Sequence, residues 1–124
     1  MKPDYDRAAA KAAEIRSTTE GDVNPLKILE GMDVSVVSFS EMSKKTNVSR
    51  RMICALNKDA VTCVYMKDSK PHYMIAYNKR LAQDKVRFAL AREMAHIVLG
   101  HDGSLPDWTR AEEAICFARN LLRE

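Results

Sequence analysis

Apolar positions along this chain follow two rhythms, and the switches between them predict the elements in order. Tyr5 to Arg16 is rich in alanine and favours a helix, with Asp4 placed to cap it. The polar stretch STTEGDVN reads as a loop. Pro25 then opens a short helix, PLKILE, which Gly31 ends. Val34 to Phe39 is β-branched and predicts a strand. Ser40 is expected to cap a short helix, SEMSKK, and Ser49 another, RRMICALN. VTCVYM and HYMIAY are strand-like runs, joined by KDSKP, where Asp68, Ser69 and Pro71 suit a hairpin turn. A long helix follows from about Asp84 to Leu99, and Gly100 stops it. HDGSLPD is a loop, and Thr109 is expected to cap a last helix running to the end. The order α-α-β-α-α-β-β-α-α implies an α+β domain, a small three-stranded, largely antiparallel sheet with helices packed on it.

Composition narrows this picture modestly. The 124 residues suit one compact domain, 1–124, with no linker to a second. Hydrophobic residues at 46% supply a core, and 30% charged residues suit a soluble surface. A net charge of +3 falls short of a nucleic-acid footprint and permits an acidic partner. MKPDYDRAAAK lacks the apolar stretch of a signal peptide, and no run approaches a membrane span, so a cytoplasmic protein is expected. Cys54, Cys63 and Cys116 are odd in number and not closely spaced, which is no disulfide framework.

The candidate chemistry lies in the long helix, DKVRFALAREMAHIVLG. Val86, Leu90, Met94 and Ile97 form a buried stripe at helical spacing, extended by Ala91, Ala95 and Val98. Arg92, Glu93 and His96 interrupt it. Arg92 and His96 are four apart, one turn along the same face. With histidine at position 92 this would be the HExxH helix, in which two imidazoles grip one zinc and the glutamate activates its water. Arginine stays protonated and cannot ligate.

FALAREMAHIVLGH followed by EEAICFARNLL resembles the ImmA/IrrE family of zinc metallopeptidases. The matching residues are Phe88, Ala91, Glu93, His96, Leu99 and His101, then Glu113, Ala114, Phe117, Ala118, Leu121 and Leu122; IAYN at 75–78 resembles the family's strand before the active helix. The resemblance covers roughly Val34 to the C-terminus. It implies a zincin-like active helix followed by a Glu-bearing C-terminal helix. His96 would be a zinc ligand, Glu93 the general base and Glu113 the distal ligand, with Glu112 a substitute. Arg92 takes the place of the first ligand, so the domain resembled is a degenerate one. A zinc site from His96, Glu113 and one of His101, Asp102 or Cys116 is chemically reasonable, with His101 entered as ligand and the other two as alternatives. Against these stand plainer readings. Glu93 pairs with Arg92 or a neighbouring helix, Cys116 packs in the core, and His101 serves behind the ligands. Arg92 is either a surface residue or a replacement for the metal charge, paired with Glu113.

A second constellation is SEMSKKTNVSRRMICALN, which has the outline of a helix-turn-helix. Asn47 can take the left-handed turn position. A helical insertion beside the sheet explains the same residues. Lys44, Lys45, Arg50, Arg51 and Lys58 are a solvated face or an interaction face for an acidic protein or a nucleic-acid backbone. The expected function is that of a metal-binding phage or mobile-element protein, with zinc as the expected cofactor, that binds and inhibits a host regulator or defence protein, such as a CRISPR effector. The alternatives are an active zinc peptidase that cleaves a repressor, with Glu93 as its base, and a DNA-binding regulator.

Overall fold

The computed structural model describes residues 2–101 and 104–123. Its elements are α1 (Tyr5–Ser17), α2 (Pro25–Gly31), β1 (Ser35–Ser38), α3 (Phe39–Thr46), α4 (Arg50–Leu56), β2 (Ala60–Lys67), β3 (Lys70–Tyr77), α5 (Gln83–Val98) and α6 (Asp107–Leu121). The order is the expected one, and the class is α+β.

The sheet is mixed rather than largely antiparallel. Its strand order is β1-β3-β2. β2 and β3 form an antiparallel hairpin, with Ala60 opposite Tyr77 and Lys67 opposite Lys70. β1 lies parallel to β3, from Ser35 beside Met74 to Ser38 beside Tyr77. A parallel pair needs a long connection, and α3, α4 and β2 lie along it. The hairpin closes tightly through Asp68 and Ser69, both at positive φ (53° and 64°), as a two-residue loop matched to strand twist. Pro71 is therefore a strand residue and not part of the turn.

Two helix starts differ from expectation. α3 begins at Phe39, and its cap is Ser38 rather than Ser40. The Glu41 N–H donates to Ser38 Oγ at 3.2 Å, and the Ser38 N–H donates to Glu41 Oε1 at 3.4 Å, a reciprocal capping box. α6 begins at Asp107 behind Pro106, so Thr109 is a buried residue of its first turn and not its cap. Asn47 does adopt the left-handed conformation, at φ 59°, and ends α3; Ser49 caps α4 through the Met52 N–H.

The chain gathers into two compact units, residues 1–24 with 91–124 and residues 25–90. In the second, Val37, Phe39, Met42, Ile53, Val61 and Ala76 form a buried cluster, with Val48, Cys63 and Met74 packed against it. In the first, α1 packs on α6. Ala8 and Ala12 are buried on one helix; Ala114, Phe117, Ala118 and Leu121 are buried on the other. The α5 stripe is real at Leu90, Met94, Ala91 and Ala95, whereas Val86, Ile97 and Val98 are only partly covered. No helix among the described residues is long and apolar enough to cross a membrane.

Candidate functional site

The three residues expected as ligands meet in the first unit, as a hydrogen-bonded row. His96 stands near the C-terminal end of α5. Gly100, at φ 65°, turns the chain just beyond it, and the His101 N–H closes the helix on the His96 carbonyl at 2.9 Å. That turn brings the two imidazoles together, Nδ1 to Nδ1 at 2.8 Å. The far side of His101 faces α6, where Nε2 lies 2.8 Å from Glu113 Oε1. The other carboxylate oxygen, Oε2, accepts the backbone N–H of Asp4 at 2.8 Å. Arg7, one turn into α1, donates to the Leu99 carbonyl at 2.9 Å. The row thus ties α1, the end of α5 and α6 together.

Its proton arrangement follows from the chemistry of the groups. Burial works to raise the Glu113 carboxyl, but the Asp4 N–H, His101 and Arg7 outweigh it and hold it below its ordinary value. As a carboxylate Glu113 only accepts, so His101 Nε2 carries a proton and donates. The two Nδ1 atoms share a single proton between them. Burial, reinforced by electrostatic repulsion from His101, Arg92 and Arg110, pushes the His96 pKa from 6.5 down to about 4. At neutral pH His96 is uncharged and a weak base.

Glu93 and Arg92 lie alongside. Glu93 is buried on α5, only 6% exposed. Its Oε2 stands 3.8 Å from Arg92 Nε and 3.9 Å from His96 Nε2. The first contact is an ion pair too long for a hydrogen bond. The second involves a neutral imidazole and is no ion pair. One terminal nitrogen of Arg92 is buried without a hydrogen-bond partner among the described residues. Arg92 is therefore not a plain surface residue, and its ion pair is with Glu93, not with Glu113.

The expected ligands do not converge as a metal ion requires. Both His101 nitrogens and one His96 nitrogen are engaged within the row. A tetrahedral zinc holds its donors at about 2.0–2.2 Å and hence keeps them farther apart than a hydrogen bond does. Among the described residues no group of three His, Cys, Asp or Glu side chains gathers around one point. As arranged here these residues do not fit a three-ligand zinc site. Cys116 follows Glu113 by one turn, but its thiol donates to the Tyr5 carbonyl at 3.6 Å and receives the Asn120 amide, also at 3.6 Å. Burial raises its pKa above the ordinary thiol value, so it stays a thiol. Glu112 is engaged by the Tyr5 hydroxyl at 3.3 Å. Asp102 falls outside the described residues.

Sequence reading misses the part played by α1. Asp4 is expected only as a cap, a role its side chain keeps by accepting the Arg7 N–H at 3.0 Å. Its backbone N–H on Glu113 joins positions 109 apart, which no local pattern signals. The basic residues Lys44, Lys45, Arg50, Arg51 and Lys58 belong to the other unit and are exposed on and beside α3 and α4. His72 stacks on Tyr65 across the hairpin, with ring centres 5.6 Å apart. Comparisons with protein-family models, curated proteins and solved structures find no match for this chain.

Proposed function

We propose that this chain is a degenerate ImmA/IrrE-type domain that acts by binding a protein, a host regulator or a defence protein such as a CRISPR effector, and not by cleaving one. In this reading α5 corresponds to the zincin active helix and α6 to the Glu-bearing helix. The observation that carries it is the position of Arg92. A guanidinium stands in the place of the first ligand, 3.8 Å from the carboxylate that would be the base. A permanent cation there repels a dication. His101 and Glu113 support the same reading, since they engage one another instead of pointing at a common centre.

The test is N-terminal peptide profiling. A lysate of the source cells, supplemented with zinc, is incubated with the purified chain or with its Glu93→Gln variant. The expected result is the same set of N-termini from both. New N-termini that form with the native chain and vanish with Glu93→Gln would make it a peptidase and sink the proposal. Elemental analysis of tag-free protein accompanies this. Zinc well below one per chain agrees with the row described above; about one per chain would mean that the row opens to take a metal.

A further inference from the structure

We infer that the α3–α4 pair is the docking surface of this binder, and that it fits a protein groove with an apolar floor and an acidic rim. This rests on the binding function proposed above and names the surface that performs it.

The first observation is where the charge sits. Residues 39–58 hold five bases, Lys44, Lys45, Arg50, Arg51 and Lys58, and one acid, Glu41. Their net charge is +4 against +3 for the whole chain, so the rest carries −1. The acid is engaged in the capping box with Ser38. All five bases are exposed, and none forms an ion pair among the described residues. The α3–α4 segment thus carries positive charge that no ion pair compensates among the described residues, and its complement is acidic.

The second observation is apolar. α4 has one buried residue, Ile53, which roots it in the core. Met52 and Leu56, four apart and so on one face, are 63% and 77% exposed. Two large apolar side chains at i and i+4, framed by basic residues, match the anchor pattern of a helix laid into a groove. They also decide between macromolecules. Phosphates would satisfy the bases but offer nothing to Met52 and Leu56. A reading helix presents polar groups to base edges, whereas here two large apolar side chains stand exposed beside Arg50 and Arg51 on a two-turn helix. A protein groove satisfies both sets at once.

The test is site-specific photo-cross-linking in the source cells, using the full chain with benzophenone-alanine at position 56 or, as control, at position 11 on α1. Expected are nuclease-resistant protein adducts from position 56 and not from position 11. Their cross-linked peptides should map to an apolar surface bordered by Asp and Glu. Arg50→Glu with Arg51→Glu should lower adduct yield about tenfold, the loss of two rim pairs in a desolvated interface. Both residues are exposed, and an unchanged circular dichroism spectrum excludes misfolding. Met52→Ser, which keeps the charge, should lower the yield as well. Adducts from both positions alike, adducts indifferent to these changes, nuclease-sensitive adducts or no adducts would each overturn the inference. N-terminal profiling reads the other proposal separately. Cleavage products together with α4 adducts would remove the pseudo-peptidase and leave the docking surface standing.

Discussion

The polar row of the first unit and the α3–α4 pair of the second are opposite solutions to placing charged residues in a small protein. In the row, the His101 and Glu113 side chains are buried, and the Asp4 N–H, Glu113, His101 and His96 Nδ1 each stand at hydrogen-bond distance from the next. In α3–α4 and the adjoining Lys58, the five basic groups are exposed and form no ion pair among the described residues, and apolar side chains stand in water beside them. Buried polar groups are costly to disturb because losing one strands its partners. Exposed ones can be changed at little cost to folding. Residues that resemble a catalytic centre thus hold the first unit together, while the surface proposed above for docking belongs to the second.

The comparison breaks most readily at Glu113. Glu113→Ala strands the Asp4 N–H and His101 Nε2 and should destabilise the chain by about 3–5 kcal/mol. In thermal denaturation that is a drop of roughly 10 °C or more. A drop no larger than that of an exposed control would show that the row is incidental. Next comes Ile53→Ala, which removes the only buried side chain of α4 and should cost about 2–4 kcal/mol by chemical denaturation. Amide exchange should show α4 loosened first, and uniform loosening would mean that α4 has other anchors.

Acid should weaken the same row. The His96 pKa is lower in the fold than its ordinary 6.5, so the unfolded chain binds more protons between there and about 4. This contribution is complete above pH 6.5 and fades as pH falls toward 4. Glu113 is also lowered, from an ordinary 4.5, and its contribution is lost further down, as pH falls through its folded value. The melting temperature should therefore fall below pH 6.5 and continue to fall below 4.5. The His96→Phe variant should lack the upper part of that slope. A melting temperature flat from pH 7 to 5 would contradict the assigned row. The smallest effect is expected at Leu56→Ser, within about 0.5 kcal/mol of the parent because the side chain is already in water.

Much of the fold is legible along the chain, for reasons that also explain the misses. Element order follows from local periodicity and punctuation, and the Asn47 joint, the Gly100 stop and the Ser49 cap are each set by one residue's conformational or hydrogen-bonding preference. The capping box at Ser38 was within reach, since Ser38 and Glu41 have its spacing, but Ser40 offers the same hydroxyl two positions on. Sheet polarity is not local. Whether β1 joins the hairpin parallel or antiparallel depends on how the intervening residues 39–59 are packed. The site divides the same way. His96, His101 and Glu113 are singled out by spacing and resemblance, but the contacts of Asp4 with Glu113 and of Arg7 with the Leu99 carbonyl come from the far end of the chain.

α4 is held by a single side chain, and that has a consequence for the history of such a protein. Six of its seven residues are free of the core, so mutations there are hardly constrained by folding. A lineage can rewrite Arg50, Arg51, Met52 and Leu56 while Ile53 stays fixed, without rebuilding the scaffold.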